Sequence, residues 1–291
     1  MTGTPTIHDI EQEILDLEAR LRKAKSRLAQ VSAPRDSEPQ PQPPPNGISS
    51  SETYHALLLL SDSALPLGSF AYSSGLESYI AHQKPLPRTI TPVASFQRFL
   101  KLSIASMGSI SLPYVLTAYR NPIELETLDN DLDASTPCPV AQRASIAQGR
   151  ALLGVWERAF RSTYAHGNGN CQLRGSRVQS GIKAVADFSE ALKCCMDDEL
   201  GVKGHFAPLW GAVCLAMGMG ARQTAYVFML NHAKAVLSAA VRASVMGPYQ
   251  AQKRQTSVIL RHRHSHDSMQ RLLASPTTDT TLVWFEIPGT P

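Results

Sequence analysis

The sequence predicts an all-α helical bundle, and three observations lead there. From Ser51 onward the apolar pattern is helical almost throughout, and no convincing stretch of strict alternation marks a strand. Helix-opening chemistry recurs along the chain: Thr91-Pro92 sets an N-cap before a proline at the first helical position, and Ser74-Gly75-Leu76-Glu77 has capping-box spacing. Breakers such as Pro66 with Gly68 fall between the periodic runs rather than inside them.

Taken in order, the first element is a heptad helix. Ile7, Ile10, Ile14, Leu17, Leu21, Ala24, Leu28 and Val31 alternate spacings of three and four. Acidic residues (Asp9, Glu11, Glu13, Asp16, Glu18) fill its first half and basic residues (Arg20, Arg22, Lys23, Lys25, Arg27) its second. A parallel pair would oppose like charges, whereas an antiparallel pair sets Glu11 against Lys25 and Glu13 against Arg27. Self-association would therefore be antiparallel; a single solvated helix whose charges match its macrodipole is the alternative. Residues 33–46 carry six prolines and read as an extended linker.

The body then reads as a set of about seven helices. They cover residues 53–60, a helix opened by Ser74, a long helix from Thr91 toward Tyr119, and residues 143–163, 184–200, 208–221 and 223–246. Residues 164–181, rich in Gly and polar residues, read as a long exposed loop. The expected organisation is an N-terminal helix (1–32), a Pro-rich linker (33–51), a helical domain (52–252) and a divergent C-terminal segment (253–291).

At 291 residues, 43% apolar and 18% charged, the chain can bury a sizeable core in one domain. Its net charge of +4 and the lack of a basic stripe interleaved with aromatics argue against nucleic acid. Five irregularly spaced cysteines (Cys138, Cys171, Cys194, Cys195, Cys214) make no disulfide framework; with no signal peptide, the expected setting is reducing and cytoplasmic. Between His205 and Ala233 the only charge is Arg222, yet each uncharged piece is shorter than the roughly 20 residues of a membrane span, so buried core helices are expected.

Enzyme signatures are missing. Ser73-Ser74-Gly75 lacks the Gly-x-Ser-x-Gly elbow, and neither His-Glu-x-x-His nor a Walker loop occurs. His262, His264 and His266 alternate in a basic tract where a solvated surface segment competes with a metal site, and Cys194-Cys195 point to different sides of a helix; no metal site is assigned.

Several motifs instead suit binding. Pro66 and Gly68 give a fixed turn between helices, with Phe70 and Tyr72 as aromatic anchors or as plugs of the bundle end. Gln148-Gly149 puts a glycine inside a helix at a cost of about 1 kcal/mol, which close helix approach would offset. Arg242, in an apolar late helix, needs a buried acidic partner or an interface.

These residues also carry a resemblance. The run Leu57 to Tyr79, with Asp62, Ser63, Pro66, Gly68, Phe70, Ser73, Gly75, Leu76 and Glu77, resembles the N-terminal signature of the urease accessory protein UreF family. Three further matches follow in order: Arg143-Ala144-Ser145 with Gln148-Gly149, Gly204-His205-Phe206-Ala207-Pro208 with Gly211, and Ala239 to Arg242 with Gly247-Pro248-Tyr249-Gln250-Ala251-Gln252. The resemblance implies a dimeric helical protein without a catalytic centre. It also implies a complex with UreD (UreH) and the GTPase UreG that passes nickel to apo-urease. Partner contact would then fall on Asp62, Pro66, Gly68, Phe70, Tyr72, Glu77, Gln148, Arg242, Gly247, Pro248 and Gln252. Nickel would be handled by the complex, with no cofactor held by this chain. Departures lie at the C-terminus: Ser268-Met269-Gln270-Arg271-Leu272-Leu273-Ala274-Ser275 is either the family's docking tail or a helix displaced by an insert at 253–268. A coiled-coil adaptor unrelated to nickel is the competing reading, carried by residues 7–31 alone.

Overall fold

A computed structural model of the chain describes residues 50–83, 91–165, 175–194 and 201–254, all within the compact unit Asn46–Pro291. The heptad helix, the linker and the tract beyond Arg254 lie outside the described residues. Every regular element among the described residues is helical: α1 Ser50–Ser61, α2 Leu76–Gln83, α3 Pro92–Ser106, α4 Leu112–Arg120, α5 Leu125–Ser135, α6 Pro139–Val155, α7 Arg161–Ala165, α8 Ser176–Cys194, α9 Phe206–Ala216 and α10 Ala221–Arg242. Single π turns at Met107–Ser111 and Trp156–Phe160 carry α3 into α4 and α6 into α7.

Local chemistry sets most of these boundaries. Thr91 caps α3 as expected, its Oγ1 accepting from Ala94 N at 3.3 Å, with Pro92 at the first helical position. The capping-box expectation at Ser74 is corrected. Ser74 (φ 51) and Gly75 (φ 85) are both left-handed, so Ser74 lacks the extended backbone of an N-cap. Leu76 N instead donates to Ser73 O (3.0 Å) to close a tight turn, and Gly75 O accepts from Tyr79 N (3.0 Å) as α2 begins. Two further differences concern extent. Helix α5 occupies a stretch to which the sequence pattern assigns no helix, and α8 starts at Ser176, inside the expected 164–181 loop, burying Gly181.

Helix α9 is the centre of the fold. Apart from half-buried Phe206, each of its residues is buried, and it packs chiefly against α4, α6 and α8. Its length of 11 residues is far below a membrane span, consistent with the buried-core expectation. Helices α3 and α4 together (Pro92–Arg120) are long and apolar enough to cross a membrane by composition, but Arg98 and Lys101 are exposed and the run packs on α9 and α10. Small residues allow the close approaches. A Cβ on Gly211 would overlap the carbonyl oxygen of Val115 in α4, and one on Gly181 would sit 3.0 Å from Leu215 Cγ. Buried polar tips are satisfied: Trp210 Nε1 donates to Thr224 O (3.2 Å) and Tyr119 OH to Met219 O (2.8 Å).

Helix α10 serves two cores. Its first half (Ala225, Val227, Phe228, Met229) joins the main core around α9. Its second half (Val236, Leu237, Ala239, Ala240) forms a smaller cluster with Leu76 of α2, Phe96 and Leu100 of α3, and Met246. Between them His232 Nε2 meets Ser103 Oγ at 2.9 Å, and burial holds the imidazole pKa down to about 4.

Two outcomes are expected. Gly211→Ala should destabilise the fold by about 3 kcal/mol in urea denaturation, because the obstacle is α4 backbone rather than a movable side chain. For His232 the folded pKa lies below the unfolded value of 6.5, so the unfolded state binds the proton first as pH falls. Stability should be level above pH 6.5 and decline from there toward pH 4; His232→Gln, followed by denaturant midpoints at several pH values, should flatten that decline.

Candidate functional site

Two groups of residues emerge, one buried and one exposed. The buried group begins with α5. Asp129 and Asp133 are one turn apart and so share a helix face. Asp129 is fully buried and its carboxylate serves three successive backbone amides: Oδ2 accepts from Lys203 N (2.6 Å) and Gly204 N (3.0 Å), and Oδ1 accepts from His205 N in a short bond. Gly204 has φ 86, a conformation open to glycine, and this bend turns the amides toward one acceptor. The carboxylate therefore sits at the N-terminus of α9, where a helix has unpaired N–H groups and positive dipole. A buried charge is tolerated only when so bonded.

His205 is the residue just before α9, and its ring is also fully buried. Nε2 lies 2.9 Å from Asp133 Oδ1, and Nδ1 lies 3.0 Å from Ser145 Oγ on α6. The tautomer follows from the partners. A carboxylate only accepts, so Nε2 carries the hydrogen; Ser145 Oγ accepts from Phe206 N (3.2 Å) and donates its own proton to Nδ1. Gln142 Nε2 donates to the same Asp133 oxygen at 2.6 Å. Hydroxyl, imidazole and carboxylate are the groups of a hydrolytic triad, but here they close on one another around a ring with no exposed surface. The arrangement is a lock between α5, α6 and the start of α9. Gly149 completes it: a Cβ there would overlap the Gly204 carbonyl, and Arg150 Nε donates to Lys203 O at 2.9 Å. The glycine of Gln148-Gly149 thus serves close packing, while Gln148 itself donates to Ala144 O at 3.1 Å.

The exposed group is the loop between α1 and α2. Asp62 is exposed, and its Oδ1 accepts from Ala64 N (3.0 Å), an Asx turn that redirects the chain. Gly68 (φ 69) opens the short turn Ser69–Ala71, with nothing within 4 Å of a Cβ built on it. Its requirement is therefore conformational, unlike that of Gly149. Pro66 and Glu77 are exposed, Phe70 and Tyr72 half-buried. Arg242 is exposed and donates to Ser238 Oγ at 3.0 Å, so among the described residues no buried acidic partner explains it. Gly247 is exposed, as are Pro248 and Gln252 in the helical run 248–254 that follows, and Met246 just before them packs in one cluster with Leu76, next to Glu77. Gln148 stands apart on α6, whose main packing partner is α9.

Metal chemistry finds no cluster: among the described residues no group of three or more His, Cys, Asp or Glu side chains could hold an ion. His205 has both ring nitrogens occupied in the lock. His262, His264 and His266 lie outside the described residues.

A bundle wound on one buried helix, with a closed polar lock inside and an exposed loop outside, defines an all-α protein. The chain belongs to the UreF family, whose model matches residues 90–258. A Schizosaccharomyces pombe protein described as an uncharacterized urease accessory protein UreF-like is 32% identical over 80% of this chain and 89% of its own length. The urease accessory protein F of Arabidopsis thaliana is 28% identical over 76% of the chain and 83% of its length. The urease accessory protein UreF of Mycobacterium bovis is 33% identical over a shorter stretch, 36% of this chain and 47% of its own. No solved structure matches the chain.

Asp129 was absent from the sequence-derived candidates and is the residue on which the lock turns. Asp129→Asn keeps the shape but replaces one carboxylate oxygen by a donor facing backbone N–H groups. Stability should fall by about 3 kcal/mol, seen as a lower denaturant midpoint with loss of amide protection at 203–206.

Proposed function

We propose that this chain is a non-catalytic scaffold of urease maturation: a cytoplasmic homodimer that bridges UreD (UreH) and the GTPase UreG, so that GTP hydrolysis is coupled to nickel insertion into apo-urease. Nickel is the cargo of the complex rather than a resident cofactor of this chain. Family membership supports the accessory role. The observation that carries the binding role is the division among the motifs. Ser145, Gly149, Gly204 and His205 are consumed by internal packing, whereas Asp62, Pro66, Gly68 and Glu77 lie exposed, and Gly68 is free of any packing demand. A rigid exposed loop with half-buried aromatics at its edge is a binding surface of low ordering cost. Arg242 at the end of α10, with Gly247, Pro248 and Gln252 after it, extends that surface.

The test is co-expression with cognate UreD and UreG, followed by size exclusion with light scattering. A stable complex with two copies of each component is the expected result. A folded chain that binds neither protein would overturn the bridging role. Removing residues 1–46 separates the competing adaptor reading, since a scaffold of this type keeps its partners and a coiled-coil adaptor loses them.

A further inference from the structure

Helix α10 is largely apolar, yet two of its polar side chains reach across to the end of α1. Asn231 Nδ2 donates to the carbonyl of Leu60 at 2.8 Å, and Lys234 Nζ donates to the carbonyl of Ser61 at 2.6 Å. Residues three apart share a helix face, so the two donors act side by side. The last carbonyls of any α-helix lack intrahelical donors and are ordinarily left to water or to a glycine cap. Here a separate helix, more than 170 residues later in the chain, supplies them.

The placement of Lys234 is costly. Burial pulls its ammonium below the usual lysine range, with only partial relief from the nearby Asp62 carboxylate. A positive group at the C-terminus of α1 also meets the negative end of that helix dipole. What these contacts fix is the point at which the chain leaves α1. The turns that follow are referenced to it: Asp62 N donates to Leu59 O (3.3 Å), Ala64 N to Asp62 Oδ1 (3.0 Å) and Leu65 N to Asp62 O (3.3 Å). Helix α10 also packs against the Ser69–Ala71 turn and against α2, so one helix supports the loop at both ends.

We infer that Asn231 and Lys234 are positioning residues for the partner-binding loop 62–72, holding it in the shape its partner reads. This rests on the reading that the loop is a partner surface of the accessory complex. Neither residue needs to touch the partner.

The experiment uses the full chain as wild type, Lys234→Met, Lys234→Arg and Asn231→Ala, each titrated with whichever of UreD and UreG the wild type binds. Amide exchange is recorded on the free proteins. Lys234→Met keeps the apolar stem and removes the donors. It should weaken partner binding at least tenfold and speed exchange across 62–72, while α9 amides stay protected. Lys234→Arg should restore most of the binding, and Asn231→Ala should show the same pattern in weaker form. Unchanged binding by Lys234→Met, with or without faster loop exchange, overturns the inference. Should Lys234→Met fail to fold, Asn231→Ala decides: a folded variant with wild-type affinity overturns it equally. If the wild type binds neither protein, the functional reading fails first, a result distinct from selective loss in the variants.

Discussion

The fold depends on how the N-terminus of one buried helix is satisfied. Helix α9 has almost no exposed surface, so the amides of the turn that leads into it cannot be left to water. A single carboxylate, Asp129, takes the three N–H groups of Lys203, Gly204 and His205, and thereby ties α5 to the centre of the bundle. Once that bond set is in place, His205 falls between Asp133 and Ser145, and α6 is pinned by the same ring. Gly149 and Gly204 are the spatial conditions of this arrangement, one for close approach and the other for the bend. Loss of any one member leaves a buried polar group without its partner, which is why the residues act as a unit.

Much of this was legible before the structure, and the failures have physical reasons. Thr91-Pro92 fixed the start of α3 because both its signals are local. The runs around Gly149 and His205 were recognised as motifs, but their meeting was invisible, since about 60 residues separate Ser145 from His205. Helix α5 was missed because Asp129, Asn130, Asp131 and Asp133 resemble a polar connection; the available signal was Leu125, Leu128 and Leu132 at helical spacing. At Ser74 the capping-box spacing misled, because the left-handed Gly75 beside it turns the chain before the helix begins. Lys234 is one charge in a largely apolar helix, and only the structure shows the carbonyl it serves.

The two glycine classes clarify how the family signature divides. Gly149, Gly181 and Gly211 sit where a methyl group would collide with or crowd a neighbouring turn or helix, so they belong to packing. Gly68 and Gly75 have open space around them and left-handed backbone, so they belong to the shape of an exposed segment. Left-handed glycine backbone thus shapes a solvent-facing loop, while the buried motifs lock the core. Helix α10 connects the two, with one half in the main core and the other beneath the loop side.

The most direct test of this division is amide exchange across the whole chain, free and in complex with its accessory partners. The account predicts new protection at 62–77 and 242–252 on binding, while the amides at 129–149 and 203–206 are already protected in the free chain and stay unchanged. New protection at the lock, with the loop unaffected, would contradict it.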